Sequence, residues 1–337
     1  MLTNKTLFMR ILIIVLLSAA SLIIFLTAGC EHLNFFEARE ANDSVGSEKI
    51  NEVPADDDIL PETEEEVFPP PQIVLEPEET LPGNHVILKA GPFREMPELE
   101  LNADFTHDLS EPHLEDNFIY FFLGVNYVAQ PGEYKLTLEV SEPDKDSLSI
   151  DKTIILRNPD FAFSRFSVPP TVMDDWTVEQ LAKDRERIRE ARSQTEKVPL
   201  WSGPFIWPVE GRISSDFGAV RVINNGPPTH HSGIDIALPE GTPFVAANRG
   251  VVTLAEFLLA SGNAVFIDHG VGLSSAYLHM HEIFVEEGQL VEQGDVIGTI
   301  GTTGFSSGPH LHWSVYVNNT PVSPYNFMDG LIPIFPE

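Results

Sequence analysis

Cysteine is nearly absent from this chain: one residue, Cys30, in 337. A single cysteine forms no internal disulfide, so the stapled scaffolds of small secreted domains are excluded. Positive charge is scarce as well, with 20 Lys and Arg against 51 Asp and Glu and a formal net charge of −31. There is no basic patch, and a surface of this sign is unsuited to nucleic acid. The His-Glu-x-x-His helix that carries the glutamate base of one zinc-protease class is missing. A phosphate-binding loop is missing too. Gly298-Thr-Ile-Gly-Thr-Thr-Gly304 has the glycines but neither the Lys-Ser/Thr ending nor a following helix.

What is there begins with Lys5, Arg10, an apolar run from Ile11 to Leu26, and Thr-Ala-Gly-Cys30. A basic start, an apolar core and small residues before a cut describe a secretory signal. The favoured reading of residues 1–30 is a lipoprotein signal in which Cys30 is lipidated and becomes the mature N-terminus, although Thr27 stands where leucine is more usual. The alternative is an uncleaved signal anchor, because the run is close to the ~20 apolar residues that span a bilayer. Both readings place the rest of the chain outside the cytoplasmic membrane, in the cell envelope and held to a membrane. Residues 31–81 are acidic and proline-bearing, with Asp56-Asp-Asp58, Glu64-Glu-Glu66 and Pro69-Pro-Pro71. Such a stretch cannot support a core and reads as a disordered, self-repelling tether.

The length allows two or more folded domains. In residues 82–158, Val86-Ile-Leu-Lys-Ala90, Phe118-Ile-Tyr-Phe-Phe-Leu-Gly124, Tyr134-Lys-Leu-Thr-Leu-Glu-Val140 and Lys152-Thr-Ile-Ile-Leu156 are β-rich, and Gln130-Pro-Gly-Glu133 is a turn between two of them. This predicts a small antiparallel β-sandwich without a catalytic constellation. Residues 159–203 read as a linker. Thr177-Val-Glu-Gln180 opens a helix with a capping-box pattern, and Leu181, Ile188 and Ala191 give it a thin apolar stripe to lay on a domain surface. Residues 204–330 set glycines at turn positions between short strands, which predicts a second all-β domain with an open groove between its loops.

The chemistry concentrates in that last part. His231 and Asp235 are four apart, His310 and His312 are two apart, and His279 lies between the pairs in Tyr277-Leu-His279. Both pairs sit in β-like sequence, Ile234, Ile236 and Leu238 alternating after the first and Trp313, Val315 and Val317 after the second. Side chains at even offsets on a strand share a face, so each pair is expected to point from its strand into one cleft. Imidazole and carboxylate together suit tetrahedral zinc, and three protein ligands leave the fourth position for a water whose pKa falls to roughly 7. With no glutamate base, the spare histidines are the natural proton carriers.

Several stretches then carry a resemblance: Ser215-Asp-Phe-Gly218 with Arg221, His231-Ser-Gly-Ile-Asp235, Gly241-Thr-Pro-Phe-Val-Ala246, Gly262-Asn263, Ile267-Asp-His-Gly270, Tyr277-Leu-His279, Gly294-Asp-Val-Ile-Gly298 and Thr303-Gly-Phe-Ser-Ser-Gly-Pro-His-Leu-His312. In order and without large gaps, this segment resembles the LytM/lysostaphin-type zinc metallopeptidases, which cut peptide bonds in bacterial peptidoglycan. The preceding module is similar to the immunoglobulin-like β-sandwich of several relatives. The resemblance implies one zinc ion held by His231, Asp235 and His312. It makes His279 and His310 the catalytic histidines that polarise the water and stabilise the tetrahedral intermediate. Peptidoglycan is the implied substrate, and a regulatory envelope protein is a further partner to look for. Some relatives have lost ligands and only activate other hydrolases; all five positions are present here. Of the remaining histidines, His230 is expected to line the groove or lie exposed, His269 to be a structural turn residue, and His281 to stand behind the site at best. His32, His85, His107 and His113 carry no constellation.

Overall fold

The computed structural model describes residues 69–106, 109–142, 146–166, 178–223 and 225–328, all within one compact unit, Glu65–Glu337. The signal with Cys30, the tether up to residue 68 and Thr177 of the capping box lie outside the described residues. Among the described residues no helix is long and apolar enough to cross a membrane.

The N-terminal strands are β1 (Gln72–Glu76), β2 (Glu79–Thr80), β3 (His85–Gly91), β4 (Glu98–Ala103), β5 (His113–Glu115), β6 (Phe118–Gly124), β7 (Gly132–Ser141) and β8 (Leu148–Leu156). They form two four-stranded sheets, β1-β3-β6-β5 and β2-β8-β7-β4, antiparallel throughout except that β2 runs parallel to β8. Alternation explains the packing. Ile73 and Leu75, Val86, Leu88 and Ala90, Ile119, Phe121 and Leu123, and Leu136, Leu138 and Val140 all turn into one buried cluster between the sheets. The sandwich therefore starts ten residues earlier than the sequence reading placed it, at Gln72 instead of residue 82. The acidic run masked a short strand, Gln72-Ile-Val-Leu-Glu76, whose Ile73 and Leu75 are buried while its glutamate stays in water.

The sandwich does not bury all its apolar residues internally. Ile87 on β3 and Phe122 on β6 face the other way and belong to the core of the C-terminal domain, where Phe122 meets Trp201 edge-on. His85 stacks on Phe327 at 4.5 Å, and the Ser323 amide donates to Gly83 O at 2.7 Å.

Residues 159–203 are more than a linker with one helix. They supply β9 (Phe163–Phe166) and helix α1 (Val178–Ser193). Of the apolar stripe, Ala191 is buried and Ile188 packs beside it against Leu254, Leu258, Ala264 and Phe266. Arg187 adds ion pairs to Glu256 at 2.6 Å and to Glu287. After the helix, Trp201 enters the main core.

The C-terminal domain contains β10 (Arg212–Ser215), β11 (Val220–Ile223), β12 (Thr229–His230), β13 (Ile234–Ala237), β14 (Pro243–Val245), β15 (Gly250–Leu258), β16 (Gly262–Gly270) and β17 (Leu273–Met280). It continues with β18 (Glu282–Ile283), β19 (Leu290–Val291), β20 (Val296–Thr299), β21 (Leu311–Val317), β22 (Thr320–Val322) and the short helix α2 (Tyr325–Met328). The main sheet runs β10-β13-β21-β17-β16-β15-β19, with β22 paired to β21. One face carries Ile234, Ile236, Tyr277, Trp313 and Val315 into the large core; the opposite face carries the polar partners of the next section. Smaller sheets, β14-β20-β18 and β12-β11-β9, flank it. The expectation of an all-β architecture with one linker helix is met.

Candidate metal centre

The centre of the site is a row across the main sheet. Ser215 on β10 pairs with Asp235 on β13, and Asp235 pairs with His312 on β21. Directly opposed residues share a face, so Asp235 and His312 come together on the side away from the apolar core.

His231 arrives differently from the sequence expectation. It is not on the strand of Asp235 but in the stretch between β12 and β13, so the even-offset rule does not place it. The loop does. Its amide donates to Ala219 O at 3.0 Å and its carbonyl accepts from the Gly218 amide at 2.9 Å, which swings the ring over Asp235. The approach needs glycine at position 233, where a Cβ would fall 2.9 Å from His312 Nε2 and closer still to Trp313 O and Ser314 Oγ.

His279 is placed by a defect in the ladder. The β16–β17 register gains one residue on β17 between Tyr277 and Met280, and His279 takes φ +63°. A bulge with a left-handed residue re-aims a side chain. Tyr277 therefore points into the core while His279, two residues on, turns to the site, its ring 4.9 Å from that of His310. The loop is clamped by Asn263, whose amide side chain donates to Met280 O and His281 O, and by Thr303 Oγ1 donating to Met280 O. His310 precedes β21 and is held by a single bridge to Gly301.

The hydrogen bonds set the ring tautomers. Carbonyl oxygens only accept. His231 Nδ1 lies 2.8 Å from Asp216 O, His279 Nδ1 2.9 Å from Thr303 O and His310 Nδ1 2.8 Å from Gly308 O, so each carries its proton on Nδ1 and presents Nε2 to the site. His312 is reversed: its Nε2 lies 2.7 Å from Ser314 Oγ, and with Nε2–H donating to that hydroxyl, Nδ1 faces the site as an acceptor. His231 Nε2, His312 Nδ1 and Asp235 Oδ1 then meet at 2.9–3.0 Å. Three lone-pair donors in buried contact repel unless a cation sits among them. Placing the His312 proton on Nδ1 instead still leaves His231 Nε2 facing Asp235 Oδ1 at 2.9 Å without a proton. The donor set fits a metal ion, and these are the residues that group as potential ligands among those described.

Burial would raise the Asp235 carboxyl, but the two histidines that converge on it, His231 and His312, pull it down instead. Arg221 Nη2 donates to the outer oxygen, Oδ2, at 3.0 Å. Burial, with the neighbouring His312 adding to it, pushes His279 down to about 4, so its ring is neutral at pH 7.

All five expected residues converge: His231, Asp235, His279 and His312 are buried, and His310 Nε2 lies 3.6 Å from Asp235 Oδ1. His230 stacks on Tyr127 at 4.8 Å. His269 is buried in β16 between Arg249 O and Ser275 Oγ, with burial pushing it down to about 4. His281 is exposed and faces Glu240 at 3.4 Å. Sequence reasoning did not assign the supporting roles of Arg221 and Ser314. Ser314 was within reach of the even-offset rule, two residues past His312 on the same strand; Arg221 carried no spacing signal.

A buried His-Asp-His centre on an antiparallel β sheet, with two further histidines at its mouth, is the arrangement of a metallopeptidase, and residues 229–324 match Peptidase family M23. That match takes in less than a third of the chain, and the same segment is similar in sequence to named peptidoglycan peptidases. It is 43% identical over 117 residues to the DD-carboxypeptidase/endopeptidase Mpg of Neisseria meningitidis serogroup B, the match covering 34% of this chain and 26% of that protein. It is 40% identical over 133 residues to the peptidoglycan DD-endopeptidase ShyA of Vibrio cholerae serotype O1, covering 38% of this chain and 30% of the other. The chain spans less than a third of the length of these relatives. A crystal structure of a Pseudomonas aeruginosa chain assigned to peptidase M23 shares the fold, with a TM-score of 0.55 and 24% identity over 75% of this chain and 96% of that one.

Proposed function

We propose that the chain is an extracytoplasmic zinc-dependent endopeptidase that hydrolyses peptide bonds in peptidoglycan stem peptides or cross-links. The observation that carries this reading is the meeting of three potential ligand atoms, His231 Nε2, His312 Nδ1 and Asp235 Oδ1, at 2.9–3.0 Å. His231, Asp235 and His312 would hold one zinc ion. Zinc bound there supplies a Lewis acid that lowers the pKa of water to roughly 7 and polarises the scissile carbonyl.

The chain's own groups do the rest. His279, neutral and anchored through Nδ1–H to Thr303 O, offers Nε2 to take the proton of the attacking water. His310, anchored through Nδ1–H to Gly308 O, turns Nε2 towards the same space, where an Nε2–H would donate to the developing oxyanion. The proton then returns to the leaving amine as the C–N bond breaks. Arg221 holds the outer oxygen of Asp235 and leaves the inner one directed at the two ligand histidines. The DD-endopeptidase activity named for ShyA supports peptidoglycan as the substrate. A lipid at Cys30, followed by the acidic tether, would keep the enzyme at a membrane within reach of the wall.

The test is His279→Ala and His310→Ala in the full-length chain. Each is expected to abolish release of muropeptides from purified peptidoglycan while near one zinc per chain stays bound. Loss of the metal together with turnover would show that the roles are wrongly divided.

A further inference from the structure

The metal ligand His231 hangs from a turn that belongs neither to the main sheet nor to the matched segment 229–324. Asp216 O accepts from its ring, the Gly218 amide donates to its carbonyl, and Ala219 O accepts from its amide. His230 Nδ1 lies 3.2 Å from Gly218 O and donates to it. Any displacement of residues 216–219 therefore moves His231.

That turn is gripped from outside. Tyr127, in the loop after β6 of the sandwich, stacks on His230 with ring centroids 4.8 Å apart and 14° between planes, and meets Phe217 edge-on at 6.2 Å. Phe161, in the segment leading to β9, stands edge-on to His230 at 5.8 Å. Its ring fills the place a side chain at Gly218 would take, with Cζ 2.8 Å from the position of a Cβ there. The same segment is fastened by the Val220 amide donating to Ala162 O at 2.7 Å and by β9 running parallel to β11.

We propose that Tyr127 and Phe161 are positioning residues for the metal centre, so that the sandwich and the strand behind it complete the site by fixing His231. This rests on the zinc-site reading above. The effect of these two side chains passes through His230 and the 216–219 turn, in the way that partners one layer out orient ligands and change metal affinity by about 10–100-fold.

The experiment titrates zinc against a competing chelator in the full-length chain and in Tyr127→Ala, Phe161→Leu and Tyr127→Phe. The visible spectrum of each cobalt-substituted protein is recorded alongside. Tyr127→Ala is expected to bind zinc about tenfold more weakly and to shift the cobalt bands. Phe161→Leu, which keeps the apolar bulk but not the ring edge, does the same to a smaller degree. Tyr127→Phe keeps the stacked ring and matches the wild type in both readouts. Wild-type affinity and spectrum in both Tyr127→Ala and Phe161→Leu would overturn the proposal, as would a Tyr127→Phe variant as impaired as Tyr127→Ala. A wild-type chain that binds no zinc would instead overturn the site reading beneath it.

Discussion

Replacing Gly233 by alanine tests the site through its tightest packing. The added Cβ would lie 2.9 Å from His312 Nε2, against the 3.4 Å of ordinary contact. His312 or the 231–233 loop must therefore yield by at least about 0.5 Å, and more where Trp313 O and Ser314 Oγ stand closer. Zinc ligands keep their distances to within about 0.2 Å, so the shift exceeds what three shared donors absorb. Overpacking of this kind costs about 1–3 kcal/mol, which at about 1.4 kcal/mol per decade corresponds to a 5- to 150-fold change in a binding constant. The expected outcome is zinc affinity weakened within that range, with turnover of peptidoglycan falling in parallel. Chelator competition measures the first, and muropeptide release at saturating zinc the second. If β21 yields instead of the site, the strain appears as a lower Tm with affinity preserved. A Gly233→Ala chain with both wild-type zinc affinity and wild-type Tm would refute the packing reasoning.

Arg221→Ala removes the donor to Asp235 Oδ2 and is expected to lower zinc affinity about 10–100-fold without unfolding the chain; unchanged affinity would mean that Asp235 is oriented by its histidine partners alone. Asp268 gives a pH test remote from the metal centre. Burial pushes its carboxyl up to about 6 from 3.8, against the opposing hydrogen bonds from the Glu196 and Gly270 amides and Thr195. The folded pKa lies above the unfolded one, so its contribution to stability is present in full below about 4 and is lost as pH rises through about 6, a change of roughly 3 kcal/mol. Urea unfolding at several pH values between 4 and 7 should show that difference between wild type and Asp268→Asn, and parallel curves would contradict it.

Much of this molecule is legible in its residues. The alternation in β7 follows directly from apolar residues at every second position, because a strand that packs one face writes that period into the chain, whereas β3 and β6 pack both faces and read as continuous apolar runs. Tyr134-Lys-Leu-Thr-Leu-Glu-Val140 could hardly read otherwise. At Gln72-Ile-Val-Leu-Glu76 the pattern was present but short, and the surrounding acidic and proline-rich composition outweighed it. For β9 there was no local pattern to find: its partner β11 lies more than fifty residues on, and the pairing is parallel.

The five polar residues at the centre were determined by the sequence itself, because metal binding and proton transfer depend on which donor atoms a side chain owns, and histidine and aspartate carry those atoms wherever they are put. How they come together was decided only in three dimensions. His231 reaches Asp235 from a loop and not along a strand, and His279 reaches His310 through a bulge that reverses the face expected of it. The carbonyls of Asp216, Thr303 and Gly308 choose which ring nitrogen is free. Every residue carries a carbonyl, so sequence identity holds no record of which ones will be acceptors; that is settled by where the backbone runs once the sheet, the sandwich and the segment between them have packed.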